Sequence, residues 1–202
     1  MTQWVETPRG GRARGPTGLV RAWAEVLVRP RQFFRVGVAP GDQGPGLAFA
    51  AVVVLVEEAT RFALVAGAAP VFAGRPLASA ALALAIAVVL ITPAVLHLTA
   101  ALETILLAAL TWLADFAPDR GGVSETVQVL AYAAAPCVLA GLPVPGIRVL
   151  CAGYGSVLLV VGLAEVHDLT VPRAVVAALP AAVLVFGYGF RAFGAGATLL
   201  GL

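Results

Sequence analysis

Apolar positions in this chain fall into a few long, nearly unbroken runs, separated by short breaks rich in glycine, proline and charge. The runs cover roughly Gly46 to Gly67, Leu77 to Leu113, Ser124 to Leu142, Ile147 to Ala164 and Ala174 to Phe190. Most are near the ~20 residues that a helix needs to cross a hydrocarbon core. The second is too long. As one helix it would measure ~55 Å at 1.5 Å per residue, against a core of ~30 Å. It is either a single helix kinked at Pro93 and reaching into the cytoplasm, or two short spans broken near His97 to Thr104. Two spans would leave almost no residues for a turn, so five spans are expected.

A different pattern precedes the first run. Leu19, Trp23, Val26, Leu27, Pro30 and Phe34 recur at helical spacing, while Arg21, Glu25, Arg29, Gln32 and Arg35 fall on the other face. This predicts an interfacial amphipathic helix over 18–35. Trp23, Phe33 and Phe34 would sit at headgroup level, with Arg29, Arg31 and Arg35 as surface anchors. Pro30 should end or kink this helix, and the following VAPGDQGPG reads as a connector to residue 45. Residues 1–17, with PRGGRARGPTG, hold little that could bury apolar surface and are expected to be disordered. The organisation predicted is therefore a tail (1–17), an interfacial helix and connector (18–45), one transmembrane domain (46–194) and a C-terminal tail (195–202).

Composition agrees with lipid as the solvent. Of 202 residues 60% are apolar and 12% charged, with a mean hydropathy of +0.96. Soluble domains hold about 25% charged residues. The fold class expected is an all-α integral membrane protein, a five-helix transmembrane bundle. Every basic residue is arginine, and Arg9, Arg12, Arg14, Arg21, Arg29, Arg31 and Arg35 all precede the first run. The first residues lack the compact apolar stretch of a signal peptide. The positive-inside rule then puts the N-terminus in the cytoplasm of a multi-pass protein of the cell membrane. Five spans add Arg120 and Arg173 to the inside, six add Arg148 and Arg191, so arginine counting does not choose between them. A net charge of +2 and one short arginine–glycine copy do not call for nucleic acid.

The order of motifs resembles a known family. The leader reads W-x-x-V-L-x-x-P-x-x-F-F, a long second helix follows, then GGVSETVQVLAYAAAP and later GLAEVHDLTVPRAVVAALP. This is similar to the Yip (Ypt-interacting protein) family of multi-spanning membrane proteins, most closely its prokaryotic, archaeal branch. The matching positions are Trp23, Pro30, Phe33, Gly121, Gly122, Tyr132, Pro136, Gly162, Glu165, His167 and Ala174. The resemblance implies five spans, a cytoplasmic N-terminus and no catalytic activity. Eukaryotic members are linked to small GTPases of the Rab/Ypt type through longer N-terminal regions. For prokaryotic members the resemblance implies a fold rather than a function. Tyr132, Pro136, Gly162, Glu165 and His167 would belong to that fold signature.

Few residues carry candidate chemistry. Glu57, Glu58 and Arg61 lie near the middle of the first run, where a charge costs ~2.5–3.5 kcal/mol. Arg61 is spaced to pair with either carboxylate, leaving one without an arginine of its own. That one could be protonated, or meet His97 or a cation. The group reads either as a buried pair that orients the helix or as a proton or cation relay. His97, Thr104 and Thr111 share a stripe of the long helix, with Thr99 and Glu103 beside it. They read as a packed face with hydroxyls on i−4 carbonyls, or as a polar path toward Glu57 and Glu58. Glu165, His167, Asp168 and Arg173 read as a solvated cytoplasmic turn rather than a metal site, since the spacing is tight and HExxH is absent. The two GYG triplets, Gly153–Gly155 and Gly187–Gly189, suit close helix packing better than a potassium filter. Cys137 and Cys151 are expected as small buried side chains, with a disulfide the alternative. No GxSxG, Walker or dinucleotide motif occurs.

No enzyme activity, metal or cofactor is expected. Two functions remain: a non-catalytic scaffold or adaptor, or a small transporter or permease subunit for a proton or small cation using Glu57, Glu58, Arg61, His97 and Glu103. The partners expected are the lipid bilayer and a further membrane or cytoplasmic protein, and self-association is compatible with either reading.

Overall fold

The computed structural model describes residues 5–6, 12–13, 15–114 and 121–202, with side chains described from Gly15 to Ala109 and from Gly121 onward. The described residues are helical, apart from turns and a two-residue antiparallel pair, Val5–Glu6 with Arg12–Ala13. Most of the tail expected over 1–17 lies outside the described residues, and helix already begins at Gly15. The leader forms two helices, α1 (Gly15–Val28) and α2 (Pro30–Gly37), broken at Arg29 because Pro30 takes the first position of the second. Then come α3 (Gly44–Leu64), α4 (Pro76–Ala85), α5 (Thr92–Ala114), α6 (Val123–Ala133), α7 (Pro145–Val166), α8 (Val171–Ala181) and α9 (Ala192–Leu200).

The long apolar run is one continuous helix, α4 leading through a π-helical segment, Ile86–Ile91, into α5. Pro93 explains the segment. Proline has no N–H, and its ring crowds the carbonyl four residues back. A wider turn relieves that clash, so the Thr92 N–H bonds Ala87 O, five residues back. The Thr92 hydroxyl donates to the same carbonyl at 2.7 Å. At Pro93, where a kink is expected, the helix has a widened turn, and no loop breaks it between His97 and Thr104.

Among the described residues, three helices are long and apolar enough to cross a membrane: Pro76–Ala109, Pro145–Val166 and Val171–Gly189. The last joins α8 to a second π segment, Ala182–Gly189. The third apolar run is shorter as helix than its sequence suggested. Pro136 ends regular α-helical bonding, and Ala135–Leu139 continue as one 3₁₀ stretch. The C-terminal tail expected over 195–202 is instead mostly helix, α9, closed by Gly201 in a left-handed conformation (φ 72°).

Helix α6 is the centre of the molecule. Thr126 to Ala133 are all buried, with α3, α5 and α7 packed around them. Its start is fixed by Glu125, whose carboxylate accepts the Gly122 N–H at 2.8 Å. Gln128, buried within α6, accepts the Ala39 N–H at 3.0 Å and donates to the Ala39 carbonyl at 2.7 Å. One side chain therefore bonds both backbone polar groups of Ala39 in the connector before α3. Gln128→Leu orphans the Ala39 N–H, while the carbonyl keeps the Asp42 N–H at 3.2 Å, and is expected to cost about 1–2 kcal/mol of stability in a detergent unfolding titration.

Phe33 and Phe34, expected at headgroup level, are instead packed into the bundle, 2% and 1% exposed. The Phe33 ring packs edge-on against Tyr132, centroids 4.8 Å apart. A Cβ at Gly162 would stand 3.1 Å from the Phe34 ring and 2.6 Å from Val129, so the bare glycine lets α2 and α6 close on α7. The Trp23 indole N–H donates to Ala135 O at 2.9 Å, and the Tyr154 hydroxyl donates to Leu27 O. The apolar face of the leader is satisfied by the bundle instead of by lipid.

Candidate functional site

The charges of α3 form one closed cluster with Arg191. Glu57 (2% exposed) and Glu58 follow each other on α3. Arg61, one turn on, places Nη2 2.6 Å from Glu58 Oε2 and Nε 2.9 Å from the same oxygen. The carboxylate expected to lack a cation has one. Arg191, at the start of α9, places Nη2 2.5 Å from Glu57 Oε1 and Nη1 2.9 Å from Glu58 Oε1. Two carboxylates thus face two guanidiniums, and Arg191 ties α3 to the end of the last long helix.

Two features of the backbone hold this geometry. Arg191 itself is left-handed (φ 59°), a conformation costly for a residue with a Cβ. The turn after Ala182–Gly189 takes that strain and points the guanidinium back into the bundle. Beyond the 3₁₀ stretch, Gly141 meets α3 so closely that a Cβ there would overlap the Glu57 carbonyl oxygen. The chain can approach the carboxylate-bearing turn only because that position is glycine. Arg148 caps the same stretch, its Nε donating to Ala140 O at 2.9 Å. A cavity of about 290 Å³ lies beside the cluster, bounded by Glu57, Glu58 and Arg191 on one side and by Val54, Ile91 and Phe190 on the other. Both π segments contribute to its wall through Ala87, Ile91, Val185 and Gly189.

The remaining residues of the expected polar path are elsewhere. His97 does not meet Glu57. Its Nδ1 donates to Pro93 O at 2.7 Å, and its Nε2 lies 2.6 Å from the side-chain amide of Gln43, just before α3. Thr104 donates to Ala100 O at 2.8 Å, the i−4 back-bond expected of it. Glu103 is buried on the α5 stripe of Leu96, Ala100 and Leu107, and among the described residues its carboxylate has no hydrogen-bond partner. The Thr111 side chain lies outside those described. Cys137 and Cys151 are buried and free.

Residues assigned to a solvated turn make long-range ties instead. Glu165 accepts Arg35 Nη2 at 2.8 Å and stands 3.9 Å from Arg31 Nε. The His167 Nε2 lies 3.0 Å from the Thr126 hydroxyl, and its ring fills the space against Gly121, which is left-handed (φ 83°). Arg31 and Arg35 therefore link α2 to the end of α7, whereas Arg29 makes neither of these pairs.

A family model described as the Yip1 domain matches residues 24–191. The chain belongs to the Yip1 family. The matched Yip1 domain begins inside α1 and ends on Arg191, so it takes in both the docked leader and the guanidinium that closes the charge cluster. Within it, Tyr132 is wedged between Phe33 and Phe49, Pro136 opens the 3₁₀ stretch, and Gly162 is the contact point of three helices. Each is a packing role. No curated protein and no solved structure matches the chain. By its Yip1 domain and its apolar helices, the protein is a membrane protein of Yip type.

Arg191 and Gln128 are the residues that reading the sequence missed. A signal for Arg191 existed: two carboxylates and one arginine in α3 require a second cation, and Arg148 and Arg191 were the arginines at the ends of neighbouring runs.

Proposed function

We propose that this Yip1 domain is a five-span, non-catalytic scaffold or adaptor of the cell membrane, with its N-terminus and leader on the cytoplasmic side. The spans are α3, the continuous helix from Pro76, the Val123–Leu139 segment, α7, and α8 with its π segment. The leader arginines, together with Arg173 in the first turn of α8, supply the positive side. The observation that carries this reading is the closed cluster of Glu57, Glu58, Arg61 and Arg191. A relay needs a group that gains and loses a proton or cation. Here both α3 carboxylates are held by guanidiniums, an arrangement that fixes helix positions. A scaffold needs such rigidity and nothing that turns over.

Chemical crosslinking in native membranes, followed by mass spectrometry, is the test. The expected result is one protein recovered in stoichiometric amount, or a defined homo-oligomer. Recovery of the bare chain at every crosslinker length overturns the proposal.

A second reading, a small proton or cation transporter, has one observation in its favour. Glu103 is a buried carboxylate without a hydrogen-bond partner among the described residues, which a purely structural site rarely retains.

A further inference from the structure

A groove of about 670 Å³ opens between α7 and α8. Its walls are apolar: Val157 and Val160 on α7, Val175 and Leu179 on α8. It starts at the turn around Asp168 and Leu169 and reaches Ser156 on one helix and Ala182 on the other. From Val166 to Ser156 is ~15 Å at 1.5 Å per residue, half of a ~30 Å hydrocarbon core. Both helices are long and apolar enough to span a membrane. The groove is thus one leaflet deep, with its mouth at a helix end.

The mouth is charged. Arg31 and Arg35 stand over it from α2, with side chains 72% and 71% exposed. Arg35 engages Glu165 through both Nε (3.2 Å) and Nη2 (2.8 Å). Arg31 is 3.9 Å from the same carboxylate, too long for a hydrogen bond, so its guanidinium donors are not used there. Asp168 lies at the rim, exposed. Apolar walls of leaflet depth under guanidinium donors match a molecule with an apolar chain and a phosphate. The added carboxylate at the rim matches an ammonium on the same headgroup.

We infer that this groove holds one zwitterionic phospholipid of the leader-side leaflet, with its phosphate on Arg31 and Arg35, its ammonium toward Asp168 and one apolar chain between α7 and α8. The leader then has a second task beyond packing: it completes the headgroup site.

The full-length protein, purified in detergent and mixed with defined lipid, is examined by native mass spectrometry. Phosphatidylethanolamine, phosphatidylglycerol and diacylglycerol are offered in competition. The phosphatidylethanolamine adduct is expected to dominate, and diacylglycerol, without a phosphate, to be lost. Arg31→Gln leaves the Arg35–Glu165 pair intact and should weaken retention about tenfold, the worth of one charge-assisted hydrogen bond. Val175→Trp, at a half-exposed wall position, should block the groove with no change in thermal unfolding. Retention unchanged by both variants, diacylglycerol held as well as phosphatidylethanolamine, or phosphatidylglycerol held better would each overturn the inference.

Discussion

Arg191→Ala is expected to destabilise the protein by about 3 kcal/mol, the scale for removing one partner of a buried ion pair. The effect comes from what is left behind. Glu57 is 2% exposed and, among the described residues, its one hydrogen-bonded cation is Arg191, 2.5 Å away. Glu58 keeps Arg61 at 2.6 Å and so is only partly orphaned. Part of the guanidinium reaches the surface, which holds the cost to the lower end of the range for fully buried pairs. Unfolding titrations with a denaturing detergent measure it. Glu57→Gln in the Arg191→Ala background should recover more than half of the loss, because the stranded charge is gone. Independent, additive effects would mean that the two side chains do not pair.

Gly141→Ala is expected to cost as much, about 3 kcal/mol, at the upper end of the range for overpacking. The added methyl would overlap the carbonyl oxygen of Glu57, a backbone atom within a helix. No side chain can rotate away to make room. The strand of chain after Leu139 must instead move off α3 and carry the surroundings of Glu57 with it. By contrast, Gly146→Ala, where a Cβ meets nothing within 4 Å, should be silent in the same titration. Equal effects at the two glycines would contradict the close approach.

These two sites also mark what the sequence could and could not reveal. Helix positions were legible because apolar runs set them directly, and Pro93 marked the disturbance in the long helix. The widened turn at Ile86–Ile91 was not legible, since periodicity cannot tell a missing bond from a lengthened one. In sequence the leader reads as a surface helix, because its apolar stripe looks alike whether it meets lipid or protein. Only the hole at Gly162 reveals that Phe34 goes inward. The charge cluster was half legible. Glu57, Glu58 and Arg61 announce themselves within an apolar run, but Arg191 reaches them across 134 positions of sequence. Gln128 carried no signal at all. A lone glutamine in an apolar helix does not say which peptide it will clamp. His97 shows the opposite error: a polar side chain near a polar group in one dimension finds Gln43 in three.

On the proposed scaffold reading, the cluster of Glu57, Glu58, Arg61 and Arg191 holds helices together and passes no ion. Reconstitution into sealed liposomes with a pH-sensitive dye inside, and an imposed proton or potassium gradient, tests it directly. The account predicts a leak equal to that of protein-free vesicles, unchanged by Glu57→Gln with Glu58→Gln or by Glu103→Gln. A flux above that baseline, abolished by any of those substitutions, would contradict it.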